Sequence, residues 1–154
     1  MNIKVSPLNK GTLVELSGPL DESAGQKLAD LHNNVGNEVT FNFAKIIYIN
    51  SLGIRSWVNF LRHIQEGRRI TFEECTSDIV MQMNMMTVFK GSAQVKSFYG
   101  DYTCHSCDNE ESICFEVKRN RDLEKEIRNQ SCKKCQSTLT LDEDEENYLV
   151  FLED

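Results

Sequence analysis

Two pairs of cysteines at the same short spacing constrain this chain more than any other feature of its sequence. Cys104-His-Ser-Cys107 and Cys132-Lys-Lys-Cys135 are separated by 24 residues. A turn of this kind brings two thiolates to within ~2.3 Å of one metal ion, and a second turn completes a tetrahedron. The spacing is close to that of structural zinc sites. We therefore expect Cys104, Cys107, Cys132 and Cys135 to hold one structural Zn²⁺.

Other interpretations of the cysteines carry less support. A redox dithiol normally lies in a βαβ setting, which this segment lacks. His105 lies inside the first turn and is expected to point away from a metal held by its neighbours. Cys114 alternates with Phe115 and Val117, which predicts a buried strand residue, and Cys75 is expected to be buried as well. Four thiolates leave no open position for water, which argues against zinc catalysis.

Charge and cysteine content divide the chain near residues 90–100. Residues 1–100 carry ten Lys/Arg and nine Asp/Glu, whereas residues 101–154 carry seven and fifteen. Five of the six cysteines also lie in the second part. These two compositions predict two units, which we place at residues 1–92 and 93–154. A unit of about fifty residues has too small a core to fold well alone, so a metal would supply much of its stability.

The charge and hydropathy of the chain limit the classes of partner that it is expected to bind. The acidic second unit would repel phosphate backbones, which counts against nucleic acid as the main partner. No apolar run approaches the ~20 residues of a membrane helix, and the N-terminus lacks the apolar region of a signal peptide. We therefore expect a cytoplasmic protein without membrane contact. The acidic run Asp142–Glu146 is expected to form a solvated turn or, alternatively, to contact a basic partner.

Hydrophobic periodicity in the first unit alternates between strand and helix. The strand pattern occurs in residues 3–5, 11–18, 39–50 and 69–74, and the helix pattern in residues 22–33, 51–66 and 77–89. Gly18-Pro19 is expected to end the second strand, and Asn50 or Ser51 to cap the second helix. This order predicts an α/β fold with a mixed or mostly parallel sheet and crossover helices. No glycine-rich phosphate loop, HExxH or GxSxG motif occurs, so local chemistry predicts no enzyme.

The helix predicted at 77–89 is rich in methionine. Ile79, Val80, Met83 and Met86 fit a stripe that faces the core, whereas Met81, Met85 and Val88 fall on another side. A core helix with flexible side chains is the simpler interpretation. The alternative is an adaptable binding surface, because methionine side chains are flexible and polarizable.

The residues around the cysteine pairs fit a zinc ribbon, a small β-rich unit whose hairpins each present one pair. Strands are predicted on either side of the pairs, at 93–103, 113–117, 137–141 and 148–153. The charged segment between the pairs predicts a short exposed helix. Many such turns place glycine after the second cysteine, where this chain has Asp108 and Gln136. The unit is expected to add a second contact surface or to mediate a homodimer.

Residues 39–67, VTFNFAKIIYINSLGIRSWVNFLRHIQEG, resemble the centre of a STAS domain, the fold of bacterial anti-sigma factor antagonists. The family pattern is a buried strand, an aspartate-serine pair, a glycine and an amphipathic helix. The order of elements from Met1 to about Phe89 also suits this family. The resemblance implies a STAS-like mixed sheet. It also implies a non-enzymatic regulatory module that binds a protein partner, such as an anti-sigma factor or a kinase.

In that family, a serine at the start of this helix is phosphorylated by an anti-sigma kinase, which switches partner binding. Ser51 matches that serine and Gly53 the glycine, whereas Asn50 stands where aspartate is usual and Leu52 replaces a small hydroxyl residue. The resemblance implies a partner-binding surface made of Asn50, Ser51, Leu52, Gly53 and Arg55. One alternative is that Ser51 is only a helix cap. Another is that the chain is a zinc-ribbon adaptor of the transcription machinery or of nucleic acid.

Overall fold

The computed structural model describes residues 1–153 and contains two β-sheets. The first sheet has five strands in the order β1-β2-β3-β4-β5, namely β1 (Asn2–Pro7), β2 (Thr12–Leu20), β3 (Glu38–Ile49), β4 (Arg69–Glu73) and β5 (Gln94–Val95). β1 is antiparallel to β2, and the other neighbours pair in parallel. The helices that connect the parallel strands are α1 (Ala24–Leu31), α2 (Ser51–Ile64), α3 (Ser77–Met85) and α4 (Thr87–Lys90). The predicted α/β fold with a mixed sheet is confirmed.

One face of the first sheet carries its apolar core. The buried residues alternate along the strands with half-buried polar ones, as expected for a sheet covered on one side; the buried set includes Val14, Leu16, Phe41, Phe43 and Phe72. Trp57 of α2 contacts Phe41 and Phe43 with ring centroids 5.1 and 5.4 Å apart. Its indole Nε1 donates a hydrogen bond to the carbonyl oxygen of Phe89, 3.0 Å away. These contacts fix α2 and α4 on the same face of the sheet.

The second sheet follows the first after a single residue. Its strands β6 (Ser97–Thr103), β7 (Glu110–Glu116) and β8 (Thr140–Leu141) are antiparallel in the order β7-β6-β8. Lys96 joins the sheets, because its N–H donates to Phe72 of β4 and its carbonyl accepts from Val117. The predicted short helix between the cysteine pairs is confirmed as α5 (Leu123–Arg128).

The second sheet and the end of the chain pack against the first unit. Phe98 contacts Tyr148 and Phe151 with ring centroids 6.2 and 5.2 Å apart. Asn84 of α3 donates to the carbonyl of Tyr148 at 3.0 Å and accepts from the N–H of Phe151 at 2.7 Å. Lys90 Nζ donates to the carbonyl of Phe151 at 2.9 Å. The two sheets therefore share one continuous apolar core.

Several local predictions are wrong. β2 does not end at Gly18-Pro19 but continues to Leu20, because a register shift between Gly18 and Pro19 accommodates the proline beside β3. Residues 148–153 do not form a strand, since a 3₁₀ turn at Val150–Leu152 lies against α3 and α4. Cys114 is exposed rather than buried.

The helix predicted over 77–89 is interrupted. Met86 adopts an extended backbone with φ −147° and ψ 118°, which separates α3 from α4. Ile79, Val80 and Met83 are buried as predicted, while Met85 and Val88 are exposed. None of the helices within residues 1–153 has the length and apolar character needed to cross a membrane.

Candidate functional site

The N-terminus of α2 is built around the side chain of Asn50. This residue has an extended backbone, and its Oδ1 accepts a hydrogen bond from the N–H of Gly53 at 2.9 Å. Its own N–H donates to the carbonyl of Leu20 at 3.1 Å, which ties the cap to the end of β2. Asn50 is therefore the helix cap. The alternative that Ser51 serves only as the cap is wrong.

Gly53 is buried and is required for the close approach of α2 to β2. A Cβ atom at this position would lie 1.8 Å from the carbonyl oxygen of Leu20. Every amino acid with a Cβ atom would require a shift of the backbone here, so only glycine fits this geometry. The role of Gly53 is therefore to seat the first turn of α2, which fixes the position of the residues around it.

Ser51, Leu52 and Arg55 are exposed on the first turns of α2. Within residues 1–153 the Ser51 hydroxyl forms no hydrogen bond. The Asn50 side chain accepts from the N–H of Gly53, so the N–H groups of Ser51 and Leu52 receive no hydrogen bond from the cap. Three large apolar side chains within four residues of Ser51 are exposed as well, since Ile47 is 74% exposed, Tyr48 52% and Leu52 51%. We call Ile47, Tyr48, Ser51 and Leu52 the α2 entry surface. It combines an accessible hydroxyl with apolar area of the kind that partners cover.

Glu22 supplies a carboxylate at the same place. Asn50 Nδ2 donates to Glu22 Oε2 at 3.1 Å, which links the turn before α1 to the cap of α2. An aspartate at position 50 could not donate this bond. Asn50 therefore ties the turn before α1 to α2, and Glu22 places a negative charge beside the cap.

The second site is the cluster of four cysteines predicted to bind zinc. The Sγ atoms of Cys104, Cys107, Cys132 and Cys135 all lie within 4.8 Å of one another. Cys104 Sγ is 3.5 Å from Cys135 Sγ, and Cys107 Sγ is 3.6 Å from Cys132 Sγ. Four sulfurs bonded to one zinc ion at ~2.3 Å would be ~3.8 Å apart. The cluster therefore has the composition and size of a tetrahedral zinc site.

The two cysteine turns have the same backbone structure. In the first, Asp108 N–H donates to the carbonyl of Cys104 at 2.8 Å; in the second, Gln136 N–H donates to the carbonyl of Cys132 at 2.9 Å. Asp108 and Gln136 have φ values of 59° and 64°, the left-handed conformation for which glycine is usual. The turns thus keep the geometry of a zinc knuckle without its glycines.

Polar groups around the cluster connect the two turns. Glu111 Oε2 accepts from Lys133 N–H at 3.0 Å and from Asn109 Nδ2 at 3.1 Å, and Asn109 Nδ2 also contacts Cys132 Sγ at 3.6 Å. Hydrogen bonds from Ser137 lower the pKa of the Cys135 thiol to about 6. Such donors stabilise thiolate, which is the form that binds metal.

The remaining cysteines and histidine lie outside the cluster. His105 is exposed and does not join the four sulfurs, in accord with its place inside the first turn. Cys75 is fully buried, as predicted, and burial raises the pKa of its thiol. Cys114 faces out from β7, because Phe115 and not its neighbour takes the core position.

Sequence reasoning did not find all of the α2 entry surface. Ile47 and Tyr48 lie in a β-branched and aromatic run that predicts a buried strand. However, β3 extends beyond the end of β4, and the last residue of β3 that pairs with β4 is Asn42. The contact between Glu22 and Asn50 spans 28 residues and has no local signal. The exposure of these apolar residues thus depends on the lengths of neighbouring strands, which the local sequence pattern does not give.

Comparisons with known proteins find similarity in structure but not in sequence. No protein-family model matches the chain, and no curated protein matches it. Among solved structures, the chain is similar to that of the anti-sigma factor antagonist SpoIIAA in its unphosphorylated form. The likeness has a TM-score of 0.48 at 13% identity and covers 61% of this chain and 87% of that chain.

Proposed function

We propose that this chain is a non-enzymatic regulatory module that binds a protein partner through the α2 entry surface and is switched by phosphorylation of Ser51. The observation that carries the proposal is the setting of Ser51. Its hydroxyl is exposed and unbonded at the first residue of α2, next to a cap supplied by Asn50 and beside three exposed apolar side chains. The strand, serine, glycine and helix also resemble the STAS pattern, from which Asn50 departs.

Phosphorylation at this position would change binding more than folding. A phosphate adds about −1.5 to −2 charges, and the free N–H groups and dipole of a helix N-terminus stabilise such charge. The nearby Glu22 carboxylate offsets part of this gain. A partner that covers Ile47 and Leu52 would instead have to bury or displace the phosphate, which costs desolvation free energy. The phosphate would therefore weaken partner binding while α2 stays folded.

The partner class follows from the STAS resemblance. An anti-sigma factor or its kinase is the partner that the resemblance implies, and the apolar entry surface is compatible with a protein. The α2 entry surface belongs to the first unit and contains none of the four clustered cysteines. A separate role for the cysteine cluster is therefore compatible with this proposal.

We propose that Cys104, Cys107, Cys132 and Cys135 bind one Zn²⁺ whose role is structural. The bound ion would cross-link the two cysteine turns, which the β6–β8 pairing and the Glu111 contacts also connect. All four ligand positions would be taken by sulfur, which is the arrangement of structural rather than catalytic sites. The zinc unit would then stabilise the first unit through the hydrogen bonds that Asn84 and Lys90 form with Tyr148 and Phe151.

Purification of the tagged chain from its native cells, followed by quantitative mass spectrometry of co-purifying proteins, tests the proposal. The variants to compare are wild type, Ser51→Ala, Ser51→Glu and a control, Asn120→Glu, which adds the same charge at an exposed residue of the second unit. We expect partners that remain with Ser51→Ala and Asn120→Glu but are lost with Ser51→Glu. Equal recovery with Ser51→Glu and Asn120→Glu would contradict the switch.

A further inference from the structure

An open groove lies between α1 and α2 on the outer side of the first unit. Its volume is about 520 Å³. The lining residues are Gly25, Ala29 and His32 on the side of α1 and Ser56, Asn59, Phe60 and His63 on the side of α2. On each helix these residues recur every three or four positions, so the groove runs along about two helical turns, or ~10 Å. Its length and its two parallel walls match the apolar face of a short third helix.

The groove continues toward the α2 entry surface. Leu52 precedes Ser56 by one turn and is therefore in the same row of α2. Ser51 precedes Arg55 by one turn in the neighbouring, outermost row, to which Arg62 also belongs. A helix seated in the groove would thus contact Leu52 at one end and pass beside Ser51.

The charges on the groove rim are unbalanced. Between Ser51 and Gln65, α2 contains Arg55, Arg62 and His63 and no carboxylate. Both arginines are exposed, and neither forms an ion pair within residues 1–153. The carboxylates lie on the α1 side and keep their charge: Asp30 accepts a hydrogen bond from Gln26, and Glu22 accepts one from Asn50. The positive charge of the rim is therefore confined to the α2 side.

We infer that the α1–α2 groove receives an acidic amphipathic helix of the protein partner, with its apolar side chains over Phe60 and Leu52 and its carboxylates on Arg55 and Arg62. This inference rests on the proposed function and gives its partner a chemistry. It also predicts that phosphorylation weakens partner binding, because a phosphate on Ser51 would lie in the row of α2 that contains the two arginines. There it would compete with the carboxylates of the partner for the same positive charge.

Two synthetic helices test the inference on the full zinc-loaded chain. Both carry the same leucine stripe over fourteen residues, and their outer faces carry either glutamate or lysine. Titration into ¹⁵N-labelled protein is followed by NMR, with fluorescence anisotropy for affinity. We expect the glutamate helix to shift the amide signals of the groove residues and to bind more weakly as salt is raised from 50 to 300 mM. The lysine helix should bind at least about tenfold more weakly.

Charge-reversal variants locate the interaction. Arg55→Glu/Arg62→Glu should weaken binding of the glutamate helix by about tenfold or more, as expected when two favourable pairs become repulsive. The control Lys10→Glu/Arg119→Glu has the same net charge at distant exposed sites and should bind as wild type. Equal binding of the two helices, signal changes outside the groove, no binding at millimolar concentration, or full affinity of Arg55→Glu/Arg62→Glu would each overturn the inference.

The Ser51→Glu variant separates this inference from the proposed function. If it binds the glutamate helix as wild type does, the groove stands and the phosphorylation switch fails. If Ser51→Glu loses its native partners while the glutamate helix shows no preference for the groove, the proposed switch stands and the groove fails.

Discussion

The regions around the two sheets of this chain differ in what can stabilise them. In the first, Trp57 is surrounded by five aromatic residues with ring centroids 5.1–6.0 Å away, so burial of apolar area can hold the fold. In the second, β8 has two residues and α5 six, and the centre of the unit is a cluster of four cysteines. Where the apolar core is small, the proposed zinc ion and packing on a larger neighbour would take over its role. The α2 entry surface lies beside the larger, aromatic part of the core.

Loss of one zinc ligand should have the largest effect and should fall on the second unit. Cys132→Ser is expected to lose zinc and to unfold residues around the cysteine turns, because structural zinc supplies on the order of 10 kcal/mol to such units. The aromatic core around Trp57 contains no cysteine of the cluster, so the first sheet should stay folded. Zinc content by mass spectrometry and residue-resolved NMR measure both effects.

Cys114→Ser is the matched control for that experiment. Cys114 is exposed on β7 and lies outside the cluster, so its replacement should leave one zinc per chain and native spectra. A Cys132→Ser variant that binds one zinc as tightly as Cys114→Ser would remove the four-cysteine assignment.

Gly53→Ala should produce the next largest effect, confined to the first unit. The added methyl would lie 1.8 Å from the carbonyl oxygen of Leu20, and overpacking of this kind costs about 3 kcal/mol. Gly36→Ala serves as its control, since a methyl there lies 3.6 Å from Thr12 Oγ1. Chemical denaturation should show a loss of unfolding free energy in the first variant alone. Similar midpoints for both would mean that α2 can move away from β2 without cost.

The structural features of this chain differ in how readily its sequence reveals them. The zinc ligands are visible because metal coordination needs fixed residue types at a fixed spacing, and the alternation of strands and helices follows from periodic apolar positions. β2 extends beyond the end that Gly18-Pro19 predicts, because a strand tolerates Pro19 only in the register that it forms with β3. Packing of the last turn, Val150–Leu152, on α3 depends on contacts more than sixty residues apart, for which no local pattern exists.

Gln136→Gly should stabilise the second unit, in contrast to the losses above. Gln136 has φ 64°, and release of a non-glycine residue from the left-handed conformation is worth about 1 kcal/mol. The same change at Asp108 should give less, because aspartate tolerates this conformation better. Gln136→Ala retains the Cβ atom and should bring no gain. Thermal melting of the zinc-loaded protein tests the order; an equal gain from alanine would point to a cause other than backbone strain.

Asn50→Asp should give the smallest effect, at the cap of α2. Aspartate caps a helix as well as asparagine does, but it would face Glu22 at the 3.1 Å now bridged by a hydrogen bond. For these solvent-accessible groups we expect a loss of about 0.5 kcal/mol at pH 7. The loss should disappear in a Glu22→Gln background. A double-mutant cycle by denaturation measures the coupling, and a coupling of zero would mean that Glu22 and Asn50 act independently.

The setting of Ser51 is the centre of this account, and native mass spectrometry of the chain isolated from its own cells tests it most directly. Fragmentation of the denatured chain then places any phosphate. We predict one zinc ion per chain and, in a fraction that varies with growth conditions, a single phosphate on Ser51. A chain without phosphate under all conditions, or with its phosphate on another residue, would contradict the account.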